Sequence, residues 1–133
     1  MMGIKRYGVI KSEKGASAVE FAIILPILII LVFGIVQFGI AFNNYITITH
    51  AAREGARIAA VDLNNPDLKN IIIERAYPVP ITPDDITITP EGTNIGDPVE
   101  VEITYNISIT IPLVGSWDIP LKNKAIMRLE YYE

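Results

Sequence analysis

The chain has no cysteine, one histidine and one tryptophan in 133 residues. Without cysteine there is neither a disulfide scaffold nor a thiolate metal site, although many exported bacterial proteins also lack disulfides. His50 stands alone, with no nucleophile paired to it, so it reads as a structural or surface residue. There is no Gly-rich phosphate loop, no His/Cys cluster and no aromatic-basic stripe for nucleic acid. The adjacent carboxylates Asp84 and Asp85 offer a cation little, because such a pair after Pro83 more often makes a turn or precedes a strand. The pattern points to no catalytic constellation, no cofactor, no metal and no small-molecule substrate.

Charge is scarce in one stretch and lopsided in the rest. Lys5, Arg6, Lys11 and Lys14 against Glu13 give the first fifteen residues a net of +3, leaving −7 for the remainder of a chain whose total is −4. An acidic body behind a basic head argues against nucleic-acid binding by the main domain. Mean hydropathy is +0.37, and the apolar excess is concentrated between Phe21 and Phe42, where no residue is charged and only Gln37 is strongly polar. A helix over that run covers roughly 33 Å, sufficient for a hydrocarbon core of about 30 Å. Backbone polar groups in lipid must be bonded within the segment, so a lone span has to be helical. The other reading, a buried core helix, would need surroundings that the rest of the chain is too small to supply.

Basic residues before the span, and none close after it, predict a cytoplasmic N-terminus with the remaining domain outside. A secretory signal would place its small residues after the apolar core. Here Gly15, Ala16, Ser17 and Ala18 precede it, so any processing falls on the cytoplasmic side and leaves the helix on the mature chain. Glu20 stands at the mouth of the span, where a carboxylate is costly. It can favour the helix dipole as a first-turn acid or rest at headgroup level. Pro26 removes one helix hydrogen bond and predicts a kink or loosened turn. Gly34 and Gly39 thin the helix surface for close approach.

The segment KGASAVEF, with its Pro-containing apolar run and the later AAREGARIAA, resembles the TadE-type pseudopilins of the Tad (tight adherence) branch of type IV pilins. The resemblance is strong over residues 14–61 and architectural beyond. It implies a minor pilin or pseudopilin, a component of pilus assembly and adhesion rather than an enzyme. A prepilin peptidase would cut between Gly15 and Ala16. Glu20, with Phe21 beside it, would then set register by meeting the new N-terminal amine of an adjacent subunit. The implied partners are that peptidase, other pilin subunits, the assembly platform and membrane lipid. The implied location is the cytoplasmic membrane, single-pass, with possible passage into a surface pilus. The rival from another class is an uncleaved single-pass anchor whose outer domain binds a partner.

The expected organisation is a leader over 1–15, a long helix over 16–61 with the span at 21–42, and an outer α+β domain over 62–133. The rod would end at about Val61, where VDLNNPD supplies a stop. Ala51/Ala52, Gly55/Ala56 and Ala59/Ala60 form a smooth stripe on which a sheet can pack. Arg53 and Arg57 lie on another face beside Glu54, as subunit contacts or simply as a solvated surface. A short helix is expected from about Pro66 to Ala76, capped by Asn65, followed by an extended YPVPITPDD linker. Strands are expected at Ile86–Thr89, at Val99–Ile111 with faultless alternation, and at Leu121–Tyr132 after a PLVGSWDIP turn. In the last strand Leu121, Ala125, Met127, Leu129 and Tyr131 would face inward. Trp117 would sit at the hairpin tip, as a contact residue or folded over the sheet edge. The fold class is α+β, with a three-stranded antiparallel sheet on the long helix.

Overall fold

The computed structural model describes residues 11–130. The leader residues Lys5 and Arg6, and Tyr131 and Tyr132, lie outside the described residues. Helix α1 runs from Lys11 to Val61, 51 residues, which is about 77 Å at the rise of an α-helix. It is followed by helix α2 (Leu68–Arg75), a 3-10 turn (Pro83–Asp85), and strands β1 (Ile86–Pro90), β2 (Pro98–Ile111) and β3 (Gly115–Arg128). The strands form one antiparallel sheet in the order β1-β2-β3. The fold is α+β.

The helix persists where local propensity opposes it. Ile46-Thr-Ile-Thr49 alternates like a strand, yet Thr47 Oγ1 donates to the Asn43 carbonyl (2.9 Å) and Thr49 Oγ1 to that of Tyr45 (2.7 Å). These bonds to the preceding turn satisfy both hydroxyls inside a helix that β-branched residues do not favour. Tertiary contact supplies the rest: Ile48 is fully buried beneath the sheet domain. At the far end the chain turns at Asp62, whose N–H bonds Ile58 O (2.9 Å). Glu130 N–H covers Ala60 O (2.8 Å), so the chain just beyond β3 satisfies a helix-terminal carbonyl.

The small-residue stripe is the floor of the core. Ala51, Ala52, Ala56, Ala59 and Ala60 are buried, and α2 and the sheet both lie on them. Gly55 marks the closest approach. A Cβ there would sit 2.6 Å from Ile72 Cδ1 and 3.4 Å from Val101 Cγ1. Thus α2 and β2 meet over one glycine, and the stripe serves a helix as well as the expected sheet. Above it Val99, Val101 and Ile103 of β2 are fully buried, with Ile86 of β1 and Leu129 closing the sides. Burying each such side chain is worth about 1.5–3 kcal/mol.

Several local details differ from the sequence expectation. The short helix begins at Leu68 rather than Pro66, and its N-cap is Asp67, without a side-chain capping bond. Asn65 Oδ1 instead accepts from Asp67 N–H (2.9 Å), closing a turn ahead of the helix. The proline-rich segment is no plain linker: Val79 and Ile81 are buried, and Thr82 opens the 3-10 turn. Asp85 Oδ2 accepts from Thr82 N–H (2.7 Å) and Thr82 Oγ1 (2.8 Å), so this carboxylate is a local cap leading into β1. The hairpin turn shrinks to Pro112-Leu113-Val114, and Ser116 to Pro120 belong to β3. Pro120 is tolerated because β3 is an edge strand. Ala125 and Leu129 face inward as expected and Leu121 is half-buried, while Met127 stays exposed at the rim.

Candidate membrane and assembly surface

Alpha1 presents two surfaces on one rod. From Phe21 to Phe42 almost every large side chain is exposed, and the most apolar window has a hydropathy of 2.9 with none of it buried. Length and composition suit a membrane span. The second surface, from Ile48 to Ala60, is the floor of the outer core.

The residues singled out from the sequence fall along this rod. Gly15 and Ala16 are exposed and lie within the helix, four and five residues after its start at Lys11. A Cβ on Gly15 would meet nothing within 4 Å. Intrachain packing therefore gives no reason for glycine there. Glu20 and Phe21 are exposed on the next turn, and among the described residues Glu20 has no ion-pair partner. The helix is continuous through half-buried Pro26. Gly34 and Gly39 are also open, with no atom within 4 Å of an added Cβ.

Arg53 and Arg57 are both exposed but differ in their bonding. Arg57 forks onto Glu54, with Nε to Oε2 at 3.0 Å and Nη2 to Oε1 at 2.8 Å. This bond holds the Glu54 carboxyl below the usual glutamate range, and the same contact raises the arginine. Being solvent-exposed, the pair adds little to stability. Arg53 makes no such pair among the described residues. His50, Glu54 and Arg75 border a shallow polar cleft. No group of three or more metal-ligating side chains occurs among the described residues.

Sequence reasoning missed how far the hairpin descends. Asn123 of β3 donates to Thr49 Oγ1 (2.8 Å), tying the middle of the strand to the helix. Beyond this tie Ile107, Ile109, Ile119 and Leu121 run down beside Phe38, Ala41, Phe42 and Tyr45, enclosing an open apolar groove of about 310 Å³. Phe38 and Phe42 belong to the uncharged run itself. The available signal was the length of the alternation, since fourteen residues at about 3.3 Å each reach well past the Ala/Gly stripe.

The family match falls on the helix. Residues 15–57 match the family model described as TadE-like protein. No curated protein and no solved structure matches the chain. The matched region starts at Gly15, takes in the exposed apolar run and reaches through Arg57, leaving the sheet outside. Over this helix the chain is similar to TadE-like proteins of the Tad pilus system.

Proposed function

We propose that the protein is a minor pilin or pseudopilin of a Tad-type pilus, a structural subunit rather than a catalyst. It inserts with its basic N-terminus in the cytoplasm and its sheet domain outside. A prepilin peptidase cuts after Gly15, making Ala16 the new N-terminus. The assembly platform then draws the subunit into a stack in which Phe21–Phe42 exchanges lipid for neighbouring helices.

The observation that carries this reading is the bare helix with its unpaired acid. Most of the twenty-two uncharged residues are exposed, only the Phe38–Phe42 end lying beside the hairpin, and Glu20 stands at their head with no ion-pair partner among the described residues. A carboxylate at a lipid boundary is stabilised by a cation that also fixes its axial position. The amine released by cleavage of a second copy is such a cation, and it sits one helical turn from its own Glu20. An open Gly15, against which nothing in the chain packs, is accessible to a peptidase.

Intact mass of the protein extracted from membranes tests the processing step. A mature chain beginning at Ala16 is expected, and Gly15→Val should leave the leader attached. An uncut wild-type chain would make the protein a permanent anchor. For register, Glu20→Gln should sharply reduce incorporation into fibres. Normal yield with unchanged subunit spacing would remove Glu20 from the mechanism.

A further inference from the structure

The lower half of the β2–β3 hairpin has an unusual surface. Exposed apolar side chains gather at its end: Leu113 at 81%, Val114 at 51%, Trp117 at 48% and Ile119 at 40%. No charged residue occurs from Ile103 to Trp117, whereas Glu100, Glu102, Lys122 and Lys124 cluster in the upper half. Next to the tip, polar residues on the opposite face are paired with one another. Thr110 and Ser116 share a hydrogen bond of 2.9 Å, and Ser108 donates to Asp118. Paired hydroxyls lose less on leaving water than free ones. Leu113 also occupies a backbone position, φ 68°, that follows Pro112 in the turn and normally takes glycine or asparagine. A large apolar side chain is held outward there despite the conformational cost.

The level of this tip along α1 identifies what covers it. Ile109 and Ile119 border the same groove as Phe38 and Phe42. A core of about 30 Å takes about 20 helical residues, so a span entered at Phe21 is left near Phe42. The hairpin runs on past Ile109 for two more residues and a turn, about 10 Å by strand rise. It runs toward the N-terminal end of α1, because Asn123 is tied to Thr49 while Ile109 lies beside Phe38. The tip therefore stands at or below the bilayer surface on the side of the sheet domain, and its apolar face continues the lipid-facing surface of the helix. We propose that Trp117 and Ile119 seat in the headgroup layer and upper acyl region of the membrane, with Leu113 and Val114 deeper in the same leaflet. The hairpin is a second membrane contact beside the span. This rests on the reading of α1 as membrane-spanning. A tryptophan at such a boundary places its apolar ring and its polar N–H in matching surroundings. Asp118, bonded to Ser108 on the opposite face, stays at headgroup level.

Trp117 is the only tryptophan and so is its own reporter. The full chain is reconstituted in phosphatidylcholine/phosphatidylglycerol vesicles with a nitroxide quencher placed high or low on the acyl chain. A companion protein carrying Phe33→Trp and Trp117→Phe reports insertion of the helix. Trp117 emission should be blue-shifted and quenched about twofold more strongly by the shallow label than by the deep one. Replacing both tip residues (Leu113→Asp, Val114→Asp) should abolish that quenching and leave the helix reporter unchanged, since aspartate tolerates the left-handed backbone. A quenched helix reporter with an unquenched Trp117 overturns the proposal alone. Shielding of Trp117 from both labels that grows with protein density assigns the tip to a second copy, and also overturns it. If neither reporter is quenched, the membrane reading and the tip contact fall together.

Discussion

Ile27 and Ile48 lie on the same helix, yet one is 67% exposed and the other fully buried. Ile27 stands outside the core, whereas Ile48 belongs to the core that α1 builds with α2, β2 and β3. The lower half is made of bulky branched and aromatic residues that project outward, the upper half of alanine and glycine that let other elements come close. A long side chain serves a helix whose surroundings are lipid or another subunit. A short one serves a helix that must be approached by its own chain. One rod thus carries both kinds of surface, and side-chain size separates them more sharply than hydrophobicity does.

The largest effect should come from opening the upper half. Ile48→Ala should destabilise the outer domain by about 2–5 kcal/mol, read as faster amide exchange at Val101 and Ile103 in the full chain in micelles. Ile27→Ala should leave those amides within about 0.5 kcal/mol of wild type. Comparable losses from both would erase the distinction between the two halves. Next is the close approach at Gly55. Gly55→Ala pushes a methyl group into buried Ile72 and should cost about 1–3 kcal/mol by the same measure. Gly34→Ala, where space is open, should cost the outer domain nothing measurable. A smaller change is expected where the halves join. Asn123→Ala removes the bond to Thr49 and should cost about 1 kcal/mol. It should loosen the middle of β3 more than β1.

The smallest effect is electrostatic. The Glu54 carboxyl is held below its ordinary range by the Arg57 hydrogen bond. Its contribution is therefore present above the unfolded-state value and lost as pH falls through the lowered folded-state value. Exchange in the turn around Arg57 should quicken slightly below the usual glutamate range, and Glu54→Gln should flatten that dependence. Solvent exposure keeps the change small.

Legibility in the sequence followed the same divide between strong and weak local patterns. The span was evident because an uncharged run of that length has few other uses. Beta2 was evident from unbroken alternation between Val99 and Ile111. The start of β3 was hidden because Gly115, Ser116, Asp118 and Pro120 are turn formers, and only pairing with β2 along an edge makes a strand of them. Val79 and Ile81 were concealed among prolines that suggested a linker. Burial there comes from joining the common core, which periodicity over a few residues does not reveal. Among the candidate assembly residues, the apolar run and the costly Glu20 stood out by chemistry, whereas Gly15 was picked out by the family resemblance. The descent of the hairpin to Phe38 was not, because it depends on how strand and helix align in space.

Pro120 has a consequence beyond its tolerance at the border of the sheet. A fourteen-residue outer strand would ordinarily invite another chain to hydrogen-bond along it. An imide nitrogen partway down interrupts that invitation, and Lys122 and Lys124 beside it discourage close stacking of like strands. Crowded copies are thereby steered away from cross-β coalescence, and the surface left for them to share is the uncovered helical stem.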